Sequence, residues 1–317
     1  MDKPILIIGI VLVVLIIGVV MHPSKSSGVG NVMMGGLGST GMMGMLYQYG
    51  ESTGIFSKHS LNVTYVSFND PYTAVLALLT GKIDLFFSSP GLTAHSLNED
   101  GSFRIGMAVA FSEMALLTRP EIKTVQDLKG KSLGVVGTTS DSYYITKWWL
   151  ESKGINMEQD IQIVEIKNPA SLTSYYLTGQ LDAIVIWGLF AGEVKDSGAV
   201  VLVTQTECLE DLIGHPYYVP IALLSNDLVD HQPSLAKNLM NAFKDITEEI
   251  EKDKEEAARY LSELTGESHE AVMANIEMKM IGELDESIIE DLMAYFEYAT
   301  EKGFITAPPG KDVFYRP

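Results

Sequence analysis

Apolar and polar positions change period several times along the chain. LNVTYVSF, at 61–68, alternates as a half-buried strand does. DPYTAVLALLTG, at 70–81, carries helix punctuation, with Asp70 as N-cap, Pro71 at the first position and Gly81 as the stop. IDLFFSS then reads as a short buried strand. Ahead of these lie a strand-like run at 32–34, a Gly/Ser loop and the apolar helical stretch MMGMLYQYGES, ending at Gly54. Strand, helix, strand, helix, strand in this order predicts a parallel sheet covered by helices.

The same plan returns about a hundred residues later. KSLGVV, the loop GTTSD, SYYITKWWLES ending at Gly154, IQIVEI, PASLTSYYLTG and LDAIVIW follow in order. ESTGI at 51–55 matches ESKGI at 151–155, and LTGKID at 79–84 matches LTGQLD at 177–182. The offsets are 100 (151 minus 51) and 98 (177 minus 79), so an internal duplication into two α/β lobes is expected. From about residue 226 the pattern turns polar and helical, with EEIEKDKEE as a solvated face and APPGKDVFYRP as a tail without periodicity.

Composition narrows the function. The 317 residues carry a net charge of -19, which argues against nucleic acid or an anionic membrane surface as partner. Cys208 is the only cysteine, so no disulfide within the chain and no thiolate metal cluster can form. Residues 4–21 are uncharged and would span about 27 Å as a helix, close to the hydrocarbon thickness of a bilayer. An N-terminal anchor or signal segment over residues 1–28 is expected, with the body at the cell surface or in the periplasm.

GLGSTG at 36–41 fits the dinucleotide fingerprint G-x-G-x-x-G. Its ribose-binding acid is missing, because Asp70 lies 29 residues beyond Gly41 and precedes Pro71, where it serves as a helix cap. What the two halves share is a strand ending in a Gly/Ser/Thr loop that opens a helix. Such a loop offers N–H groups, hydroxyls and the positive end of a helix dipole to a small polar or anionic group.

GIFSKHSLNVTYV, VLALLTGKIDLFFSSP, VQDLKGKSLGVV and LTGQLDAIVIW together resemble the solute-binding proteins of ABC importers, of the nitrate/sulfonate/taurine type. The resemblance implies a type II periplasmic-binding-protein-like fold, two Rossmann-like lobes joined by two crossing segments, with a helical C-terminal region. Mapped onto this chain, the crossings lie near 114–120 and 217–227. Lobe 1 then combines residues 29–117 and 225–317, and lobe 2 spans 118–224. It also implies a monomer that captures a small-molecule solute in the cleft and delivers it to a permease and its ATPase. The solute would be sulfonate-, taurine- or nitrate-like.

Gly38, Ser39 and Thr40 form one candidate wall of the cleft, and Thr138, Thr139 and Ser140 the other, with helix capping as their alternative role. Ser88 and Ser89 end the third strand of lobe 1. Trp187 ends its counterpart as a lid or a core residue. Met42 is the methionine nearest the cleft. Glu113 and Asp141 could receive an ammonium group of a zwitterion. Asp84 and Asp182 occupy equal positions in the repeats, where a structural role in each turn is expected. The six histidines show no metal spacing and no nucleophile elbow is present, so no metal, cofactor or catalytic residue is expected. The competing readings are a pyrimidine- or quinone-precursor biosynthetic enzyme on the same fold and a ligand-sensing ectodomain.

Overall fold

The computed structural model describes residues 28–38, 41–98, 103–112 and 114–316. The first repeat is β1 (Gly30–Leu37), α1 (Met42–Ser52), α2 (Ile55–Lys58), β2 (Leu61–Phe68), α3 (Pro71–Leu79), β3 (Leu85–Ser88) and α4 (Pro90–Asn98). Strands β4 (Phe103–Ala110) and β5 (Ala115–Thr118) lead into the second repeat. That repeat is β6 (Ser132–Val135), α5 (Asp141–Ser152), α6 (Met157–Asp160), β7 (Gln162–Glu165), α7 (Pro169–Leu177), β8 (Ala183–Ile186) and α8 (Gly188–Asp196). After β9 (Val200–Thr204) and α9 (Gln205–Ile213), the chain returns through β10 (Ile221–Ser225). The closing helices are α10 (Asn226–His231), α11 (Pro233–Lys252), α12 (Lys254–Thr265), α13 (His269–Ile276) and α14 (Glu286–Glu301), with β11 (Met280–Glu283) ahead of α14.

Two sheets result, ordered β11-β4-β10-β3-β1-β2 and β7-β6-β8-β5-β9. Within each, the three repeat strands run parallel and the next strand is antiparallel. That antiparallel strand comes from outside its repeat in both sheets: β10 follows the second repeat and β5 precedes it. The chain therefore passes between the sheets twice, between β4 and β5 and between α9 and β10. This is a mixed α/β fold of two duplicated lobes.

Equivalent residues perform equivalent tasks in the two repeats. Asp70 accepts the Thr73 N–H at 2.8 Å to cap α3, and Asn168 accepts the Ser171 N–H at 2.8 Å to cap α7. Asp84 Oδ2 accepts the Met33 N–H at 2.7 Å, and Asp182 Oδ2 accepts the Ser132 N–H at 2.8 Å. Each aspartate thus ties the start of its third strand to the neighbouring first strand. Gly54 and Gly154 take φ of 73° and 78°, which only glycine adopts without strain.

The apolar core is continuous from one lobe to the other. Ala74, Leu78 and Phe86 of the first sheet's layer belong to the same cluster as Leu133, Trp149 and Leu209 of the second. Ile288, Leu292 and Phe296 of α14 join that cluster, and α14 packs against α4 and α9. The other face of the first sheet is covered by α1 and α11, where Phe243 meets Phe56 and Phe87 edge-on at 5.6 and 5.2 Å.

Three features depart from the hydrophobic pattern. The long charged run breaks at Asp253, whose side chain accepts the Glu256 N–H at 3.0 Å and starts α12. MKMIGE, inside the helical region, contributes the edge strand β11, antiparallel to β4. The closing tail is not loose, since Phe314 bridges to Ile105 and Val313, Phe314 and Tyr315 are buried.

Candidate functional site in the seam between the lobes

The N-terminus of α4 follows the first sheet, and that of α5 follows the second. Asp141, the first residue of α5, reaches across and accepts the Gly91 N–H of α4 at 2.6 Å on its Oδ2. The same oxygen accepts the Tyr217 hydroxyl, from the return crossing, and the Tyr295 hydroxyl of α14 at 3.4 Å. A side chain only 4% exposed is therefore held by donors from three elements. A buried carboxylate requires such partners, because an isolated one would lose its hydration without compensation. Burial pushes both tyrosine hydroxyls well above the usual tyrosine range, and the Asp141 charge adds to it. Both stay protonated and act as donors.

Gly91 is required by this approach. A Cβ there would lie 2.3, 2.5 and 2.6 Å from Asp141 Oδ1, Cγ and Oδ2. Beside it, Ser140 caps α5 by accepting the Tyr143 N–H at 3.3 Å and donates its hydroxyl to the Gly137 carbonyl at 2.7 Å. Gln205 Nε2 donates to the Ser142 carbonyl at 3.0 Å, while its buried Oε1 has no partner among the described residues. A second contact zone joins the lobes where α8 packs on α13. There Lys195 pairs with Glu277 at 4.0 Å, and the Asp196 carboxylate raises the pKa of Glu270.

The sequence-predicted residues divide into groups. Ser88 and Ser89 lead into α4, and Ser140 and Asp141 open α5, so these four flank the Gly91 contact from its two sides. Thr139 is exposed beside them and forms no side-chain hydrogen bond among the described residues. Thr138 is committed elsewhere, donating its N–H and hydroxyl to Glu165 at 3.2 and 2.8 Å, which holds that carboxyl below its ordinary range. Gly38 has φ of 70°, and its carbonyl accepts the Tyr65 hydroxyl. Met42 packs on the core beside α1 and α11, and Trp187 stands at the N-cap position of α8 and packs on the apolar core of the second sheet. No hydrogen bond or ring contact among the described residues joins Gly38, Met42, Thr138 or Trp187 to the Asp141 contact. Ser39, Thr40 and Glu113 lie outside the described residues, as does the uncharged run at 4–21. No helix among the described residues is long and apolar enough to cross a membrane.

The pattern had not singled out Gly91, Tyr217, Gln205 or Tyr295. Tyr217 stands in the expected crossing and Gly91 directly after Ser88-Ser89-Pro90, so both had a positional signal. Tyr295 had none, because it comes to Asp141 from 154 residues away.

The arrangement offers hydrogen-bonding groups at a seam and little nucleophilic chemistry. Cys208 is buried, and burial pushes its thiol far up. Among the described residues no group of three or more His, Cys, Asp or Glu is placed to hold a metal.

Solved structures share the architecture. The alkanesulfonate-binding protein SsuA from Xanthomonas axonopodis pv. citri, bound to MOPS, superposes with a TM-score of 0.71 at 17% identity, covering 92% of this chain and 100% of that one. The periplasmic aliphatic sulphonate binding protein SsuA from Escherichia coli gives 0.71 at 16% identity, over 88% and 94%. The desulfurization enzyme DSZB gives 0.67 at 16% identity, over 91% and 96%. At these identities the likeness establishes the fold, that of type II periplasmic binding proteins. No curated protein matches the chain. The profile of one family, described as NMT1/THI5 like, matches residues 43–257, and the chain belongs to that family.

Proposed function

We infer that this chain is the extracytoplasmic solute receptor of an ABC importer, holding a small polar solute between its lobes and handing it to a permease. The observation that carries this reading is the Asp141–Gly91 contact, a single hydrogen bond between the helix N-termini of the two lobes at the ends of their sheets. Ligands of open α/β sheets bind at such strand and helix ends. Rotation about the crossings near 114–120 and 217–227 would open the seam and expose Asp141, Gly91 and Gln205 beside the already exposed Thr139. Lobe 1 is taken as residues 29–117 with 225–317, lobe 2 as 118–224, and residues 1–28 as the tether to the membrane.

The seam also speaks to the solute. Asp141 brings a negative group to the α4 N-terminus, where an anionic solute would otherwise sit. A second anion there would meet like charge in a partly dry site, which is costly. A solute donor, such as the ammonium of an aminosulfonate, replaces the Gly91 N–H as the partner of Asp141 without that cost. A zwitterionic, taurine-like solute therefore fits better than nitrate or a simple sulfonate. The sulfonate-binding neighbours agree with the sulfonate half, and the desulfurization enzyme among them makes turnover the point to check.

A thermal-shift screen of the full chain against taurine, alkanesulfonates, nitrate, bicarbonate, aminopyrimidines and short amines tests this reading. A solute at about a hundred times its Kd stabilises by about 2.7 kcal/mol, a visible shift. A zwitterionic hit recovered unaltered supports the receptor. A hit converted to product replaces the receptor with an enzyme.

A further inference from the structure

A cavity of about 700 Å³ lies in lobe 1 away from the seam, and the charged part of its lining is mostly cationic. Arg104, Lys237, Lys311 and Arg316 converge on it beside Ser234, with Asp312 as the one carboxylate. In a chain of net charge -19 this is a local reversal of sign. Strand pairing fixes its distance from the seam. Ser88 at the seam pairs with Ile221 of β10, which pairs with Ala108 of β4, whereas Arg104 stands at the other end of β4, opposite Leu224. Four steps of strand rise separate Arg104 from Ala108, roughly 13 Å, with the seam loops beyond.

The cations are not neutralised by the fold. Among the described residues Lys237 and Lys311 have no ion-pair partner. Arg104 donates Nη1 to Asn226 Oδ1 at 2.8 Å and to its neighbour's carbonyl, which orients the guanidinium without cancelling its charge. Arg316 alone is paired, with Glu286 at 2.8 Å. The tail that carries Lys311 and Arg316 is pinned over the cavity by the Tyr315 N–H donating to the Ile105 carbonyl at 2.8 Å. The 20-residue α11 also begins here, with no side-chain cap and no acidic residue in its first turn. The Ser234 N–H of that turn has no partner among the described residues. Like charges gathered at an uncapped positive helix end repel one another only weakly through solvent, and both features favour an anion bound among them.

We propose that this cavity binds a phosphate-bearing anion, as free phosphate or as the headgroup of an anionic phospholipid. Arginine and lysine side chains with a free helix N–H are the recognition set for a phosphate group. The chain also enters lobe 1 at this pole. Gly30, the first residue of β1, touches the first turn of α11 so closely that a Cβ would lie 2.0 Å from Leu235 Cδ1.

Calorimetric titration of the full chain in neutral detergent, with inorganic phosphate and separately with glycerophosphoglycerol, the soluble headgroup of phosphatidylglycerol, tests the proposal. The control chain carries Lys237→Gln and Lys311→Gln, both at exposed positions. Saturable binding is expected, weakened at least about tenfold in the control chain and also weakened by salt. Tighter binding of glycerophosphoglycerol assigns a lipid headgroup, and tighter binding of phosphate assigns the free anion. If neither probe binds saturably, or if the control chain binds both as tightly as the native chain, the proposal is overturned. Arg104→Gln, tested alone, should weaken binding in the same direction. Since the seam residues are untouched, a cleft solute should bind the control chain normally.

Discussion

Asp141 and Gly91 stand 50 residues apart in sequence and on different lobes, yet the carboxylate of one lies 2.6 Å from the backbone nitrogen of the other. The contact leaves no room for a side chain at 91. It also joins the first residue of one helix to the start of another, so it reports directly whether the lobes are together.

Gly91→Ala should therefore hold the seam apart. The added Cβ would fall within 2.6 Å of three Asp141 side-chain atoms, two of them the carboxylate oxygens. Overpacking of this kind costs about 1–3 kcal/mol where the structure cannot relax, and on the receptor reading proposed above, rotation of the lobes against their shared apolar cluster relieves it. Small-angle scattering should show a larger radius of gyration than wild type, with thermal stability reduced only modestly. An unchanged radius together with a large loss of stability would mean that the contact is core packing rather than a movable seam.

The paired aspartates Asp84 and Asp182 predict opposite pH responses from equal positions. Asp182 is held below its ordinary range, because hydrogen bonds from the Ser132 N–H and hydroxyl outweigh its desolvation. Its contribution is present above the unfolded pKa, about 3.9, and is lost as pH falls through the lower folded value. Asp84 is raised, chiefly by desolvation. Its contribution is present below the unfolded value and is lost as pH rises through the folded one. At pH 7, Asp182→Asn should lower Tm, whereas Asp84→Asn should leave it unchanged or raise it. Melting curves between about pH 3 and 7 check this, and equal losses from both variants would contradict it.

Thr138 and Thr139 should separate fold from function. Thr138 is used by Glu165, so Thr138→Val should lower stability and leave solute affinity nearly intact. Thr139 is exposed beside the seam, so Thr139→Ala should leave Tm unchanged and weaken the solute by about 0.5–1.5 kcal/mol, the ordinary worth of one hydrogen bond. Melting curves and calorimetry on the two variants decide it.

Much of the fold was legible because the duplication repeats its punctuation. Asp70 and Asn168 cap equivalent helices, Gly54 and Gly154 end equivalent helical stretches, and the structural role expected for Asp84 and Asp182 is what their bonds to Met33 and Ser132 perform. These signals are local, within a few residues of the turn they serve. The seam was only half legible. Ser88, Ser89, Ser140 and Asp141 follow from the rule that such sheets bind at strand ends, but the partners of Asp141 do not. Tyr295 arrives on a helix whose pattern says only that one face is buried. Thr138 and Thr139 look interchangeable as letters, and only the position of Glu165 on the neighbouring strand separates them. Strand β11 was hidden because four residues between helices carry too short a period to read.

On the receptor reading, Asp141 is the group a solute engages when the lobes close. Its most direct test is the calorimetric Kd of the solute that stabilises the full chain, measured for wild type and for Asp141→Asn. A zwitterionic or amine-bearing solute is expected, with a Kd that rises at least about tenfold in the variant, or about 1.4 kcal/mol. A solute that binds both proteins equally, or a simple anion that binds the variant more weakly than the wild type, would contradict it.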